Sequence, residues 1–309
     1  MRDLLANQKL LDAFFTSMTG VMAAGTLVLV FTIIRRFFRE PTLVAYRVGV
    51  IGLPRAGKTS LIGAVFSEIF KSSMNPRTRL SGSKTISRVN RIISSLDQGT
   101  EVPPTKEGDT FVFRFIYLAR RVLGFVPFKY EVEIADFPGE YSSELLEAAE
   151  ETVGLEDDQV VLLDREYVGW LTNSRVLIFV IEAPPALHDP GSRFAAETKA
   201  QIRATWQSLK ELRSDRGLSG ARVRVALVFT KCDALVTGYE ADHISLYLNE
   251  KEAAEVDGFC SELSYKYFDL INFLRSDAYF VTVHFTSAYA QTPYGRFGLP
   301  DLVRGILPR

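Results

Sequence analysis

The segment Gly52-Leu53-Pro54-Arg55-Ala56-Gly57-Lys58-Thr59 sets two glycines around a short turn and ends in a lysine–threonine pair. That spacing suits phosphate chemistry. Glycines let successive backbone N–H groups curl around phosphate oxygens, and a helix starting at the lysine adds the positive end of its dipole. Lys58 then sits on the β- and γ-phosphates of a nucleotide, and the Thr59 hydroxyl ligates Mg²⁺. The backbone of Gly52, Pro54, Arg55, Ala56 and Gly57, with Ser60 just beyond, completes the cradle. Pro54 stiffens the turn, and Arg55 points to solvent.

Three more short segments carry polar groups after apolar runs: Asp136-Phe137-Pro138-Gly139, Thr230-Lys231-Cys232-Asp233 and Thr286-Ser287-Ala288. The Asp233 carboxylate can accept two hydrogen bonds, from the N1–H and the 2-amino group of guanine. The segment Thr230-Lys231-Cys232-Asp233 resembles the N/T-K-x-D signature, and since adenine offers no such pair of donors the match points to guanine. In that match Lys231 packs its stem against the base.

These segments need a scaffold that brings strand ends together. Apolar runs at 45–51, 110–118, 128–135, 175–181, 223–230 and 279–285 read as strands. Helical patterns at 60–71, 193–213, 250–274 and 300–306 lie between or after several of them, with another around 84–96 inside a long insertion, 72–104. The alternation predicts an α/β domain over 45–309. Its doubly wound, mainly parallel sheet has six strands and helices on both faces. The second and third strands are joined too closely for a crossover helix, so they form a hairpin and one edge strand runs antiparallel.

The balance of 36 Lys plus Arg against 37 Asp plus Glu gives no whole-protein reason to expect nucleic acid as a partner. Two cysteines, Cys232 and Cys260, make neither a disulfide framework nor a zinc motif, and His188, His243 and His284 are scattered.

Four segments in this order, each just after a predicted strand, resemble the signatures of Ras-like (TRAFAC-class) P-loop GTPases, over about 45–309. The resemblance implies roles. Asp136 reaches Mg²⁺ through water, the Gly139 N–H senses the γ-phosphate, and Thr230, Lys231 and Asp233 form the guanine-specificity turn. Ser287 and Ala288 belong to the loop whose Ala N–H reads guanine O6. An effector-loop threonine, a further metal ligand, must lie between Thr59 and Asp136. Thr105 in Pro103-Pro104-Thr105 is the choice, and Thr110 reads better as the start of a strand. Many relatives carry a Gln after the DxxG segment to orient the attacking water, and here that position is Glu140. Its charge near the γ-phosphate implies slow intrinsic hydrolysis, with catalysis resting on Lys58, Thr105 and Glu140 and completed by a partner protein. The run 134–140 looks closer to bacterial GTPases of the double-GTPase type. The layout of the whole chain also resembles the signal recognition particle receptor beta subunit.

That layout comes from the N-terminus. Residues 13–34 carry no charge, and 22 residues at about 1.5 Å each span roughly 33 Å, close to a bilayer's hydrocarbon thickness. This segment is expected to be a transmembrane helix, after a short non-cytosolic tail at 1–12 and before a linker at 35–44. Arg35, Arg36, Arg39 and Arg47 follow it, whereas Arg2 and Lys9 are offset by Asp3 and Asp12, so the domain lies on the cytoplasmic side. Gly20 and Ala24 form a small-xxx-small pair, the one hint of a homodimer.

The expectation is a membrane-anchored GTPase that hydrolyses GTP and works as a nucleotide-controlled switch. The alternative is a GTP-binding receptor or scaffold with little hydrolysis. An ATPase is disfavoured by the segment 230–233. Residues 140–158 hold eight acidic and no basic side chains, which suits a solvated helix face or a dock for a basic partner. The tip 120–128 is apolar with a basic flank.

Overall fold

Val176–Glu182, VLIFVIE, is apolar and buried at every position but the last, as expected of a strand covered on both faces. In the computed structural model it is the fifth strand of a central sheet. The structure describes residues 16–22, 24–32, 43–71, 78–103, 110–120, 127–138, 141, 165–189, 193–218, 222–237, 247–248 and 250–308. The elements are β1 (Leu43–Gly52), α1 (Lys58–Lys71), β2 (Thr78–Leu80), α2 (Ser83–Asp97), β3 (Phe111–Arg120) and β4 (Pro127–Asp136). Next come α3 (Arg165–Asn173), β5 (Val176–Glu182), α4 (Ala183–His188), α5 (Arg193–Asp215), β6 (Arg224–Thr230) and α6 (Ala234–Thr237). The chain continues with α7 (Glu250–Lys266), α8 (Phe268–Asp277), β7 (Phe280–Phe285), the short pair β8 (Gln291–Thr292) and β9 (Gly295–Arg296), and α9 (Leu299–Ile306).

The sheet order is β2-β3-β4-β1-β5-β6-β7. β1 pairs parallel with β5, β5 with β6, and β6 with β7, whereas β2 runs antiparallel to β3. The sheet therefore has seven strands, not six, and its edge strand is β2, which pairs antiparallel with β3. Only three residues long, β2 is too short to show a period, and it lies inside the insertion 72–104, ahead of the helix expected around 84–96. The expected helix at 250–274 is two helices. The chain turns at Tyr267, whose buried ring packs edge-on to Phe229 at 5.1 Å.

Alternation along the central strands makes the sheet two-sided. Leu177, Phe179, Ile181, Val225, Leu227 and Phe229 face a core shared with Leu171 of α3, Trp206 and Leu209 of α5, Leu263 of α7 and Leu270 of α8. The intervening Val176, Ile178, Val180, Ala226 and Val228 are equally buried and must point to the other face. There α1 packs against α2 and α9. The Tyr46 hydroxyl donates to Ile306 O at 3.1 Å, and Arg224 caps the end of α9 by donating to Ile306 O and Leu307 O, both at 3.0 Å. Gly298 turns the chain into α9 with φ 69°; a Cβ there would fall 1.7 Å from Phe285 O.

Two compact units are distinguished. The larger, Val44–Tyr117 with Tyr130–Pro308, holds all of the helices named above and the sheet interior. The other includes the described residues 16–22, 24–32, 118–120 and 127–129. Residues 16–22 and 24–32 are helical, with Val21, Leu27 and Phe31 exposed. Their threonines return their hydroxyls to the backbone, Thr26 to Met22 O at 2.8 Å and Thr32 to Val28 O at 2.7 Å. Among the described residues no helix is long and apolar enough to cross a membrane. The expected span 13–34 also takes in 13–15, 23, 33 and 34, which lie outside the described residues.

Candidate functional site

Parallel pairing puts the C-terminal ends of β1, β5, β6 and β7 on one edge of the sheet, where α/β folds hold ligands. Three of the four sequence segments leave from those ends. The second segment instead begins at Asp136, the last residue of β4.

β1 runs into the glycine turn at Gly52, which lies so close to β5 that a Cβ would come 2.8 Å from Val180 O. Arg55 at φ 63° and Gly57 at φ 81° take left-handed backbone, the alternation that turns N–H groups inward into an anion nest. Pro54 and Arg55 are exposed, Ala56 is buried and Ser60 half-buried. α1 starts at Lys58, with Leu61 N donating to Gly57 O at 2.8 Å. The Lys58 ammonium arches back over the turn, donating to Gly52 O at 2.7 Å and Leu53 O at 3.1 Å. That places a cation inside the curl of N–H groups.

The Thr59 hydroxyl lies 3.1 Å from Asp136 Oδ2 and 3.2 Å from Oδ1. A hydroxyl and a carboxylate this close together would hold Mg²⁺, Thr59 directly and Asp136 through water, and the ion would supply positive charge to the phosphates. Among the described residues no group of three or more His, Cys, Asp or Glu gathers anywhere. A hydroxyl–carboxylate pair that leaves the remaining positions to water and phosphate is the donor set a phosphate-bound Mg²⁺ uses. Asp136 is held in place because Phe137 is buried edge-on to Tyr167 of α3 at 4.7 Å, while Trp170 of α3 donates to Val48 O of β1 at 3.1 Å. Arg88 of α2 brings its guanidinium to 3.8 Å from Asp136 Oδ2 and over the Phe111 ring at 4.6 Å.

Beyond β6, Thr230 Oγ1 sits 2.8 Å from Ala56 O and 3.2 Å from Ile181 O, tying the third segment to the phosphate turn. Lys231 has φ 56°, a left-handed backbone costing a lysine on the order of 1 kcal/mol. This conformation lays its stem beside Gly57 and sends Nζ to Glu182 Oε1 at 2.8 Å. Asp233 is buried in the turn leading into α6, with Val236 N donating to its backbone O at 3.2 Å. Cys232 N donates to Thr286 O at 3.2 Å, joining the third segment to the fourth. Burial, then the neighbouring Cys260 thiol, push the Cys232 thiol well above its ordinary range, so it is a neutral packing group.

Ser287 is fully buried, and its hydroxyl accepts from Ala290 N at 2.9 Å and Tyr289 N at 3.2 Å. Its side chain shapes the loop that presents half-buried Ala288. Arg296, also buried, donates to Ala288 O and pairs with Asp97 of α2, while its N–H meets Glu68 Oε1 of α1 at 3.0 Å. Burial lowers the Arg296 pKa, against the pull of Asp97 and Glu68.

The structure thus gathers Gly52 to Ser60 with Asp136, Thr230, Lys231 and Asp233, and links the Ser287–Ala288 loop to them. Thr105, Gly139 and Glu140 lie outside the described residues. Glu182, Arg88, Arg296 and the bridging hydroxyl of Thr230 were not anticipated. Only the threonine carried a sequence signal, through its place in the third segment.

A search of curated proteins found no match. One chain of similar fold belongs to the signal recognition particle receptor SRb-GTP/SRX complex from Chaetomium thermophilum, at 15% identity and TM-score 0.40, covering 86% of this chain and 97% of that one. Another is the Methanosarcina barkeri Roco2 RocCORdC bound to GDP, at 15% identity and TM-score 0.34, covering 86% of this chain and 48% of that one. The model of the Double-GTPase 2 family matches residues 46–269, most of the sheet and the first three of the four segments. The chain belongs to the Double-GTPase 2 family of P-loop GTPases.

Proposed function

We propose that this protein binds GTP and GDP with Mg²⁺, hydrolyses GTP to GDP and phosphate, and so switches a partner protein at the cytoplasmic face of a membrane. The observation that carries the reading is the joining of the phosphate turn, the Thr59–Asp136 pair and the Lys231–Asp233 turn at one sheet edge. Phosphate, metal and base thereby receive their groups from one continuous surface.

In this reading the nest of N–H groups from 53 to 58 and the Lys58 ammonium hold the β- and γ-phosphates. Thr59 and Asp136 hold Mg²⁺, with Thr105 joining them. Mg²⁺, when bound, neutralises charge on the phosphates as the γ-group departs. Lys231 flanks the base, Asp233 accepts from its N1–H and 2-amino group, and the Ala288 N–H donates to O6. Glu140 accepts a hydrogen bond from the attacking water. A loop that touches the γ-phosphate is held while GTP is present and released after hydrolysis, which is how nucleotide state reaches a partner.

Membrane attachment is supported by the uncharged run 13–34, by the basic residues that follow it, and by threonine hydroxyls satisfied within their own helix. A second reading, a GTP-binding receptor or scaffold with little turnover, is favoured by Glu140, whose charge opposes the γ-phosphate. A single-turnover assay on the full chain in detergent decides between them. The switch predicts loss of bound GTP within minutes to hours. GTP bound and unhydrolysed over a day supports the scaffold, and no GTP binding contradicts both.

A further inference from the structure

We propose, resting on the reading above, that Arg88 is a further catalytic residue, a guanidinium supplied in cis by α2 to the γ-phosphate of bound GTP. α2 is laid firmly beside the helix that carries the phosphate-binding residues. Its buried side is Thr85, Val89, Ile92 and Leu96. Ile92 approaches α1 where Gly63 stands, and a Cβ on Gly63 would fall 2.1 Å from Ile92 Cγ2. Arg88 is three residues after Thr85 and four before Ile92, so it flanks the buried side and is carried rigidly with it.

Its side chain reaches the end of the site where the metal pair stands. The guanidinium lies 3.8 Å from Asp136 Oδ2, and Asp136 lies 3.1 Å from the Thr59 hydroxyl. At 3.8 Å the Arg88–Asp136 contact is a charge pair rather than a hydrogen bond, so it leaves the fork of N–H donors able to turn to a stronger acceptor. The Phe111 ring centroid lies 4.6 Å from the guanidinium carbon, a cation–π contact that holds the head near the site. A γ-phosphate beside Thr59 and Asp136 presents terminal oxygens that a planar guanidinium binds two at a time. In hydrolysis the water oxygen forms the new bond to phosphorus. The bridging bond to the β-phosphate breaks with its electron pair passing to GDP, and the water proton ends on inorganic phosphate. In the transition state charge is spread over the transferring group's terminal oxygens, where a fixed cation lowers the barrier.

The test compares wild type, Arg88→Lys and Arg88→Ala as full chains in detergent. Single-turnover hydrolysis at saturating Mg²⁺ should fall roughly 100-fold or more in Arg88→Ala, with partial recovery in Arg88→Lys. GDP affinity should stay within about threefold, while the tightening of GDP binding by aluminium fluoride, a phosphoryl-like anion, should be lost. Unchanged hydrolysis, with Mg²⁺ binding to the GDP-loaded chain at lower concentration, overturns the proposal and leaves Arg88 as a mere counter-charge to Asp136. Equal loss of GDP affinity and turnover in both variants also overturns it, as a structural prop would behave. A wild type that binds GTP without turnover overturns it too, because an arginine in cis is present in every molecule. A wild type that binds no guanine nucleotide fails earlier, at the proposed function itself.

Discussion

Lys58 and Glu140 carry opposite charges, and because the proposed function sets both to act on the γ-phosphate, their substitutions should behave differently. The Lys58 ammonium lies over the carbonyls of Gly52 and Leu53, inside the turn. Lys58→Ala leaves the γ-phosphate charge uncompensated and should weaken GTP binding by roughly 100-fold or more, read by equilibrium dialysis, with turnover lost as well. Glu140 bears on water or on charge. If its carboxylate positions the water, Glu140→Ala slows single-turnover hydrolysis by about 10–100-fold with GTP affinity nearly intact. If its charge opposes the γ-phosphate, Glu140→Gln raises GTP affinity or speeds hydrolysis. A rate unmoved by both substitutions removes Glu140 from the mechanism. Lys58, Thr59 and Asp233 were legible in sequence because each belongs to a short segment whose spacing is itself the chemistry. Arg88, Glu182 and Arg296 were not. Each is an ordinary charged residue whose partner is distant in the chain, Arg88 with Asp136, Glu182 with Lys231 and Arg296 with Asp97, and only the folded sheet edge brings them together.

Elements decide how precisely these residues are held. Gly63 lets α2 close onto α1, so Gly63→Leu forces Ile92 and its helix outward. The expected result is a loss of about 1–3 kcal/mol in stability, read from the thermal unfolding of the full chain in detergent. Unchanged stability would mean that α2 is not packed as described. β7 contributes a pH dependence. Burial brings the His284 pKa down to about 4, with Asp301 pulling the other way, and its Nε2 is buried without a partner among the described residues. The imidazole is neutral in the fold and ordinary, near 6.5, in the unfolded chain. The unfolded state therefore binds the extra proton first, and stability falls as pH drops from about 6.5 toward 4. His284→Leu should remove on the order of 2 kcal/mol of that fall, visible as a shallower decline in unfolding temperature between pH 7 and pH 4.5. The six long strands were legible from their apolar runs and came out within two residues at each end. β2 was missed because three residues carry no period. α3 was missed because its apolar face, Tyr167, Val168, Trp170 and Leu171, spans little more than a turn.

At the scale of the molecule, a GTPase unit follows an N-terminal segment whose sequence suits a bilayer. The full chain should resist extraction by carbonate or high salt and dissolve in detergent, and removal of residues 1–39 should yield a soluble protein that still binds nucleotide. A full chain freely soluble without detergent would contradict the anchor and leave the nucleotide site untouched. That site rests on guanine. Asp233 is buried in a turn whose neighbours tie it both to the phosphate loop and to the segment carrying Ala288. The most direct measurement is competition among GTP, ATP and xanthosine triphosphate for the wild type and for Asp233→Asn. The wild type should prefer GTP over ATP by at least about 100-fold, since adenine offers no pair of donors to the Asp233 carboxylate. Asp233→Asn should shift the preference toward xanthosine triphosphate, whose 2-oxo group takes a hydrogen bond from the amide donor. Equal wild-type affinity for GTP and ATP would contradict the guanine-nucleotide assignment.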